Sequence, residues 1–173
     1  MKGLLLTVFC FITINMYSQN TTCDRLVNKG FELLKQGNLS LAIDKYNEAL
    51  KIDPKRLEAH YGLGVAYSAI CLKDGSFCNE AIKHFLEAEK IKPGYRFTYR
   101  NLATCFIKSE QYEKAVTYCN KAILQDSSDG ESYYYRGVSY AHLNKKDKCC
   151  AELKQSLKLG YSIAKNELEK YCQ

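Results

Sequence analysis

Cysteine is the residue type in this chain with the greatest capacity for chemistry. The 173-residue sequence contains nine cysteines, and eight remain if Cys10 is removed with the N-terminal segment described below (9 − 1). An even number of cysteines in an oxidising compartment permits disulfide bonds. A metal site is disfavoured because the sequence has no C-x-x-C motif and its histidines, at positions 60, 84 and 142, are far apart. We therefore expect bridges and buried thiols, with no metal and no cofactor.

Catalysis by a thiol is the main enzymatic alternative. The candidate nucleophiles are Cys71, Cys78 and the vicinal pair Cys149–Cys150. A reactive cysteine needs an exposed, electropositive setting, often in a C-x-x-C motif, and the sequence lacks that motif. It also lacks a glycine-rich phosphate loop and a nucleophile elbow. We therefore predict that the protein is not an enzyme.

Residues 1–18 have the layout of a secretory signal peptide. Lys2 supplies one positive charge, an apolar run follows, and the small residue Ser18 ends the segment. The run is too short for a transmembrane helix and is interrupted by Asn15. The leader and its Ser-Gln-Asn ending resemble those of exported proteins of Bacteroidetes-type bacteria. Cleavage after Ser18 leaves residues 19–22 as a short N-terminal segment, and we expect the protein to be secreted or periplasmic.

The charge of the chain argues against nucleic acid as a partner. The formal net charge is +6, and it falls to +5 once Lys2 is removed with the leader (6 − 1). Lysine and glutamate are interspersed along the sequence, whereas a nucleic-acid interface needs basic residues clustered on one face. We therefore expect a mixed, solvated surface and a protein or peptide partner.

Two series of small residues recur along the chain with one period. The first series, with separations of 34, 39 and 34 residues, consists of Gly30, Gly64, Ala103 and Gly137. The second series, with separations of 39, 34 and 34 residues, consists of Ala42, Ala81, Ala115 and Cys149. Each repeat is therefore predicted to be a pair of helices that cross closely at buried small residues. The five extra residues of the second repeat (39 − 34) lie between its two helices, and we expect a loop around Lys73–Ser76.

This repeat resembles the tetratricopeptide repeat (TPR), in which a Leu-Gly-x-x-Tyr helix precedes an Ala-x-x-x-Phe helix and a proline. The closest copy is the segment 61–67 followed by Ala81, Phe85 and Pro93. The resemblance implies an all-α fold, an α-solenoid of four TPR helix pairs plus a C-terminal capping helix. The units lie within residues 23–163, and the capping helix and C-terminus follow. The predicted bounds are 23–56, 57–95 with the loop insertion, 96–129, 130–163 and 164–173.

Local signals set the predicted bounds of the helices. Gly37 suits the left-handed residue after a helix, Asn38 suits an N-cap, and Pro54 and Pro93 follow helix ends. Residues 126–129 offer capping side chains for the helix that follows them. The predicted helices are 24–36, 39–52, 57–71, 79–91, 96–108, 111–124, 131–143, 146–159 and 163–171.

The TPR resemblance also implies a binding surface. In TPR arrays one face of each first helix lines a concave groove that binds a protein or peptide segment. Two of these positions, Val27 and Phe31, stand where chaperone-binding TPR domains carry Lys and Asn, so we do not expect a carboxylate clamp. The alternative for this apolar stripe is packing beneath a neighbouring helix. The implied groove residues are Val27, Phe31, Tyr61, Val65, Phe97, Arg100, Ile107, Tyr134 and Val138.

We therefore predict a non-enzymatic scaffold for protein–protein interaction. The alternatives are a structural subunit of an envelope assembly, whose groove is filled by the assembly itself, and a thiol-redox protein. A stable oligomer would favour the assembly, and a monomer would favour a receptor for a peptide.

The resemblance extends to the cysteines. The ending from Leu159 to Cys172 resembles that of exported bacterial TPR proteins, in which a cysteine of the preceding helix often accompanies it. This resemblance implies a Cys150–Cys172 bridge. A second bridge is expected between Cys71 and Cys78, which bracket the insertion. Buried thiols are expected where the repeat takes small or apolar residues, at Cys105, Cys119 and Cys149.

Overall fold

A computed structural model describes residues 20–173 of the chain, apart from the side chain of Arg96. The predicted signal peptide, residues 1–18, lies outside the described residues. Within the described residues, no helix has the length and apolar character needed to cross a membrane. Residues 20–173 form nine helices and no strand: α1 (20–35), α2 (Leu39–Ile52), α3 (Leu57–Asp74), α4 (Cys78–Ile91), α5 (Arg96–Lys108), α6 (Tyr112–Gln125), α7 (Gly130–His142), α8 (Lys146–Lys158) and α9 (Ala164–Tyr171).

The turns between helices show which local signals were informative. The predicted bounds of α2 and α5 agree with the structure, and the other helices differ by a few residues at one or both ends. Gly37 has a positive φ of 76°, which confirms its left-handed conformation. Asn38 is the N-cap residue of α2, as predicted, but its side chain makes no capping hydrogen bond, and its Nδ2 instead donates to Gln36 Oε1 at 3.4 Å. The capping role of residues 126–129 is confirmed, since the Asp129 carboxylate accepts the backbone N–H of Ser132.

The prediction that the five extra residues form a loop around Lys73–Ser76 was wrong, because they extend helix α3. Helix α3 has 18 residues, whereas α5 and α7 each have 13. The difference equals the insertion (18 − 13), and only three residues connect α3 to α4, as at the turn between α5 and α6. Gly75, with a positive φ of 82°, ends α3 by donating its N–H to the carbonyl of Cys71 at 2.8 Å. The extra residues therefore lengthen α3 and leave the turn unchanged.

The chain divides into two compact units, Met1–Ala66 and Tyr67–Gln173. In the described part of the first unit, α1, α2 and the first part of α3 pack around Tyr46, which is 1% exposed. A Cβ atom at Gly30 would come within 2.8 Å of Tyr46 Cε1, and a Cβ at Gly62 would overlap the same ring. The tyrosine thus fills the space that two glycines leave open.

In the second unit the helices pack in chain order. Helix α5 pairs with α6 and α7 with α8, while α4 packs on α5, α6 packs on α7, and α5 also contacts α7. Phe85 and Leu102 are fully buried between these helices. Gly137 marks a close crossing of α7 and α8, because a Cβ there would lie 3.0 Å from Leu153 Cγ. This unit therefore has the stacked helix pairs that the repeat predicts.

Helix α9 covers the end of the stack. It packs on α8 and α7, where Leu168 and Tyr171 contact a core of Cys149, Leu153 and Ala164. The opposite face of α9 is exposed and charged, as expected of a capping helix. The exposed charged residues of this face are Lys165, Glu169 and Lys170.

Candidate partner-binding surface

The structure buries all eight small residues of the two repeat series. Burial at these positions lets helix backbones approach closely, as the repeat pattern requires. Cys149 takes the place of alanine in α8 and is fully buried. The buried residues are Gly30, Ala42, Gly64, Ala81, Ala103, Ala115, Gly137 and Cys149.

Val27 was predicted to line the groove, but it is not part of an exposed surface. Its exposed fraction is only 8%. On α1 it lies four residues after Cys23 and three before Gly30, both buried, so these three residues share the core-facing stripe of the helix. Val27 is therefore a core residue and is not available to a partner.

The other predicted surface residues of the first unit remain accessible. Phe31 is 54% exposed, and the Lys35 ammonium lies 4.6 Å from the centre of its ring. Tyr61 and Val65, on α3, are half-buried. A cation above an aromatic face stabilises an exposed ring in one orientation. This unit thus presents one exposed aromatic residue on α1.

The second unit places five predicted residues on two helices that contact each other. On α5 the residues lie at spacings that put them on one face, and the same holds for α7. All five are half-buried, so each retains surface that a partner can cover. We call this the α5–α7 surface, consisting of Phe97, Arg100, Ile107, Tyr134 and Val138.

Arg100 joins the two helices of this surface. Its Nη1 lies 2.9 Å from Glu131 Oε2 and 3.5 Å from Asp129 Oδ1, both at the start of α7. Its guanidinium carbon lies 5.5 Å from the centre of the Phe97 ring. A planar guanidinium can stack on an aromatic ring and bind carboxylates with its edge. These contacts hold Arg100 in one orientation beside Phe97.

A polar cleft of about 340 Å³ adjoins the surface at the start of α7. Among the described side chains that line the cleft, Arg100 is the cation, and Asp126, Asp129 and Glu131 supply three carboxylates. Tyr161 closes one side. The sequence reasoning did not assign Glu131 or Tyr161 to a site, because both come from turns and helix ends that the groove pattern does not cover. The described residues of the cleft therefore carry an excess of negative charge.

Tyr134 lies at the boundary between this surface and the C-terminal cap. Its ring centre is 5.2 Å from that of Tyr161, and its side chain packs against the core that α9 covers. Burial raises the pKa of Tyr134 above its usual value. The neighbouring Tyr135 hydroxyl donates to Glu131 Oε1 at 3.1 Å, and burial raises its pKa as well. The alternative role predicted for the apolar stripe was packing beneath a neighbouring helix. Part of the Tyr134 side chain has that role, because it packs against the core that α9 covers.

The cysteine pairs lie at bonding distance. The Sγ atoms of Cys71 and Cys78 are 2.04 Å apart, with Cα atoms separated by 4.8 Å. The Sγ atoms of Cys150 and Cys172 are also 2.04 Å apart, with a Cα separation of 5.7 Å. Both Cα separations fall within the range that a disulfide requires. The fold therefore permits both expected bridges.

The remaining described cysteines are buried thiols. Cys105, Cys119 and Cys149 are fully buried, as predicted, and Cys23 donates its thiol to the Ala49 carbonyl at 3.6 Å. Burial raises the pKa of Cys105 to about 11 and that of Cys119 still further. A buried thiol that stays protonated near neutral pH is a weak nucleophile. Cys105 and Cys119 are therefore suited to packing rather than to redox catalysis.

Two protein families match parts of the chain. The TPR repeat family matches residues 30–70, and the family of regulators of microtubule dynamics proteins 1-3 matches residues 74–133. Among solved structures, the MamA protein superposes with a TM-score of 0.75 at 20% identity, over 88% of this chain and 88% of MamA. Residues 30–70 thus match tetratricopeptide repeats, and the likeness to MamA shows that the stacked helix pairs described above share its fold.

Curated relatives match part of this chain at higher identity. The DnaJ homolog subfamily C member 7 homolog of Dictyostelium discoideum is 36% identical over 103 residues, which is 60% of this chain and 19% of that protein. The TPR repeat-containing thioredoxin TDX of Arabidopsis thaliana is 30% identical over 109 residues, 63% of this chain and 28% of TDX. This chain thus spans less than a third of either relative. The tetratricopeptide repeat match over residues 30–70 supports, as the general class of function, a scaffold for protein–protein interaction.

Proposed function

We propose that the chain binds an extended segment of a protein partner along the α5–α7 surface. The observation that carries this proposal is the row of half-buried apolar residues on two contacting helices. Leftover helix faces of this kind are the binding surfaces of helical repeat proteins. Arg100, fixed by Glu131 and stacked on Phe97, supplies a polar contact of defined orientation within the row.

The charges at the edge of the surface favour a particular kind of segment. Beside the apolar row, the described side chains of the cleft at the start of α7 are one cation, Arg100, and the carboxylates of Asp126, Asp129 and Glu131. Complementary charge steers association and fixes the register of a bound segment. We therefore expect an apolar segment that carries a basic side chain at the end nearest this cleft.

We further propose that the protein acts outside the cytoplasm. The layout of residues 1–18 supports export. The two cysteine pairs with sulfurs at bonding distance also support this proposal, because structural disulfides persist mainly in oxidising compartments. N-terminal sequencing of the protein recovered from its native host tests the proposal. A mature chain that begins near Gln19 is expected, and an intact Met1 would contradict it.

A peptide array tests the binding site directly. Fluorescent chain is applied to peptides that vary in apolar content and in the position of one basic residue, and affinities of the bound peptides are then measured in solution. The variants Phe97→Ala and Ile107→Ala should weaken binding, since central aromatic and aliphatic anchors contribute on the order of 1–2 kcal/mol each. Leu124→Ala is the matched control, because Leu124 is an apolar residue of α6 that is 84% exposed outside the α5–α7 surface.

The results distinguish the proposal from its alternative. Equal affinities for wild type, Phe97→Ala and Leu124→Ala would reject the α5–α7 surface as the site. A chain that binds no peptide and runs as a stable oligomer at all concentrations on size exclusion would instead favour a structural subunit of an assembly.

A further inference from the structure

Three cysteines meet where α9 packs against α8. Cys149 and Cys150 are neighbours on α8, and Cys172 follows the last residue of α9. One sulfur ligand atom from each residue lies within 4.8 Å of the other two. The sequence spacing gives no sign of this cluster, since a vicinal pair and a cysteine more than twenty residues later form no known metal-binding motif.

We propose that these three cysteines form a binding site for a thiophilic divalent cation of the Zn²⁺ and Cd²⁺ class when the Cys150–Cys172 bond is reduced. Thiolates are the preferred ligands of such cations. A Zn–S bond of about 2.3 Å puts two thiolates of a tetrahedral site about 3.8 Å apart, so only small side-chain movements are needed to gather three ligands. The bridge and the metal are thus alternative states of one cluster.

The surroundings of the cluster suit a partly open metal site. Cys149 is fully buried against Leu153 and Ala164, whereas Cys150 and Cys172 are half-buried. A cavity of about 260 Å³ adjoins the cluster and is lined in part by Cys149, Asn144 and Tyr171. The cavity provides room beside the cluster for a water molecule as a fourth ligand.

The charges around the cluster nearly balance those of a loaded site. Three thiolates and one divalent cation carry a net charge of −1. The first turn of α8 contributes Lys146, which also lines the cavity, and Lys148, with Lys145 just before it. The N-terminal end of a helix adds a partial positive charge. Opposing them are the carboxylates of Asp147 in the same turn and Glu167 in the first turn of α9.

The chemistry of loading is balanced in two steps. A small dithiol reductant breaks the Cys150–Cys172 bond and its own two sulfurs form a disulfide. Its two protons are transferred to Cys150 and Cys172, which become thiols. The cation then binds Cys149, Cys150 and Cys172 and displaces three protons to solvent. Oxidation by a disulfide of the same class reverses the first step and releases the metal.

Cadmium is the probe for this site, because a thiolate-to-cadmium charge-transfer band reports sulfur ligation directly. The full chain is reduced with a phosphine, freed of excess reductant without air, and titrated with Cd²⁺. We expect one tightly bound Cd²⁺ per wild-type chain. Cys149→Ser should weaken binding at least about tenfold, since even the outer partners of a metal ligand contribute that much. The oxidised wild-type chain should show no band.

A control variant and a stability readout complete the test. The double variant Cys71→Ser/Cys78→Ser removes the other cysteine pair and should bind as wild type does. Bound metal should also raise the melting temperature of the reduced chain. If Cys149→Ser fails to fold, Cys172→Ser replaces it, with the same expected loss. Wild-type affinity in a folded Cys149→Ser or Cys172→Ser chain, loss of binding in the double variant, or no band in reduced wild type would each overturn the proposal.

Discussion

Tyr46 lies directly against Gly62, so closely that a Cβ atom at Gly62 would overlap the tyrosine ring. Gly30 approaches the same ring from α1. The repeat series contains Gly64, which is buried, whereas the glycine of α3 that faces Tyr46 is Gly62. The size of Tyr46 therefore explains a small residue at position 62 that lies outside the two repeat series.

The first prediction concerns this contact. In an ordinary helix, replacing glycine by alanine stabilises by up to about 1 kcal/mol. Gly62→Ala should instead lower the free energy of unfolding by roughly 1–3 kcal/mol, because the added methyl group displaces the Tyr46 ring. Gly30→Ala is the matched comparison and should have a smaller effect, since its Cβ would overlap the ring less. Urea denaturation measures both, and a Gly62→Ala chain as stable as wild type would contradict the packing described.

The second prediction concerns alkaline pH. Burial raises the pKa of Tyr46 to about 12, from an ordinary value of 10.0. A raised pKa in the folded state means that the folded chain holds the proton more tightly, so this stabilisation is complete below pH 10 and is lost as the pH rises towards 12. Stability should therefore fall over that interval, by an amount on the order of 2–3 kcal/mol for this residue.

Tyr46→Phe is the control for the alkaline transition. Phenylalanine keeps the ring and has no proton to lose. Burial also raises the pKa of Tyr118 to about 12, so the variant should keep part of the fall in stability and lose the part that belongs to Tyr46. Denaturation curves at pH 9 and pH 11 suffice. Identical falls in wild type and variant would show that Tyr46 does not contribute.

The third prediction compares the two cysteine pairs. If both are bridged, removing the Cys150–Cys172 bond with two alanines should destabilise the chain by about 3 kcal/mol, and removing Cys71–Cys78 by about 2 kcal/mol. The order follows from the sequence separations of 22 and 7 residues, because closing a longer loop removes more entropy from the unfolded chain.

Reducing conditions provide the control for both pairs. With reductant present, neither pair is bridged, so most of the difference between each variant and wild type should disappear. Mass mapping of the non-reduced protein identifies the linked peptides independently. Free thiols at all four positions in protein from the native host would rule out both bridges.

Much of the architecture follows from the sequence because a helical repeat is specified locally. Each helix has its own spacing of small and large residues, and each packs on its neighbours in the chain, so the period of 34 residues predicts both the helices and their partners. The ends of α2 and α5 and the burial of Ala81 and Gly137 could all be read from this pattern.

The errors arise where a local signal has two structural meanings. The sequence from Lys73 to Ser76 contains residues typical of a loop, but helix α3 continues through Asp74. It ends only at Gly75, the residue that can take the left-handed conformation after a helix. Val27 has the spacing of a groove residue and also shares a face with Cys23 and Gly30. Its burial by neighbouring helices decides between the two.

The sequence by itself thus determined the repeat, the helix pairs and the small residues at their crossings. Only the tertiary structure decided which residues of the stripe remain accessible and how Arg100 links α5 to α7 through Glu131. It also decided that Cys172 lies beside both Cys149 and Cys150. The physical reason is the range of the interactions: helix formation depends on residues three or four apart, whereas contacts more than twenty residues apart depend on where whole helices pack.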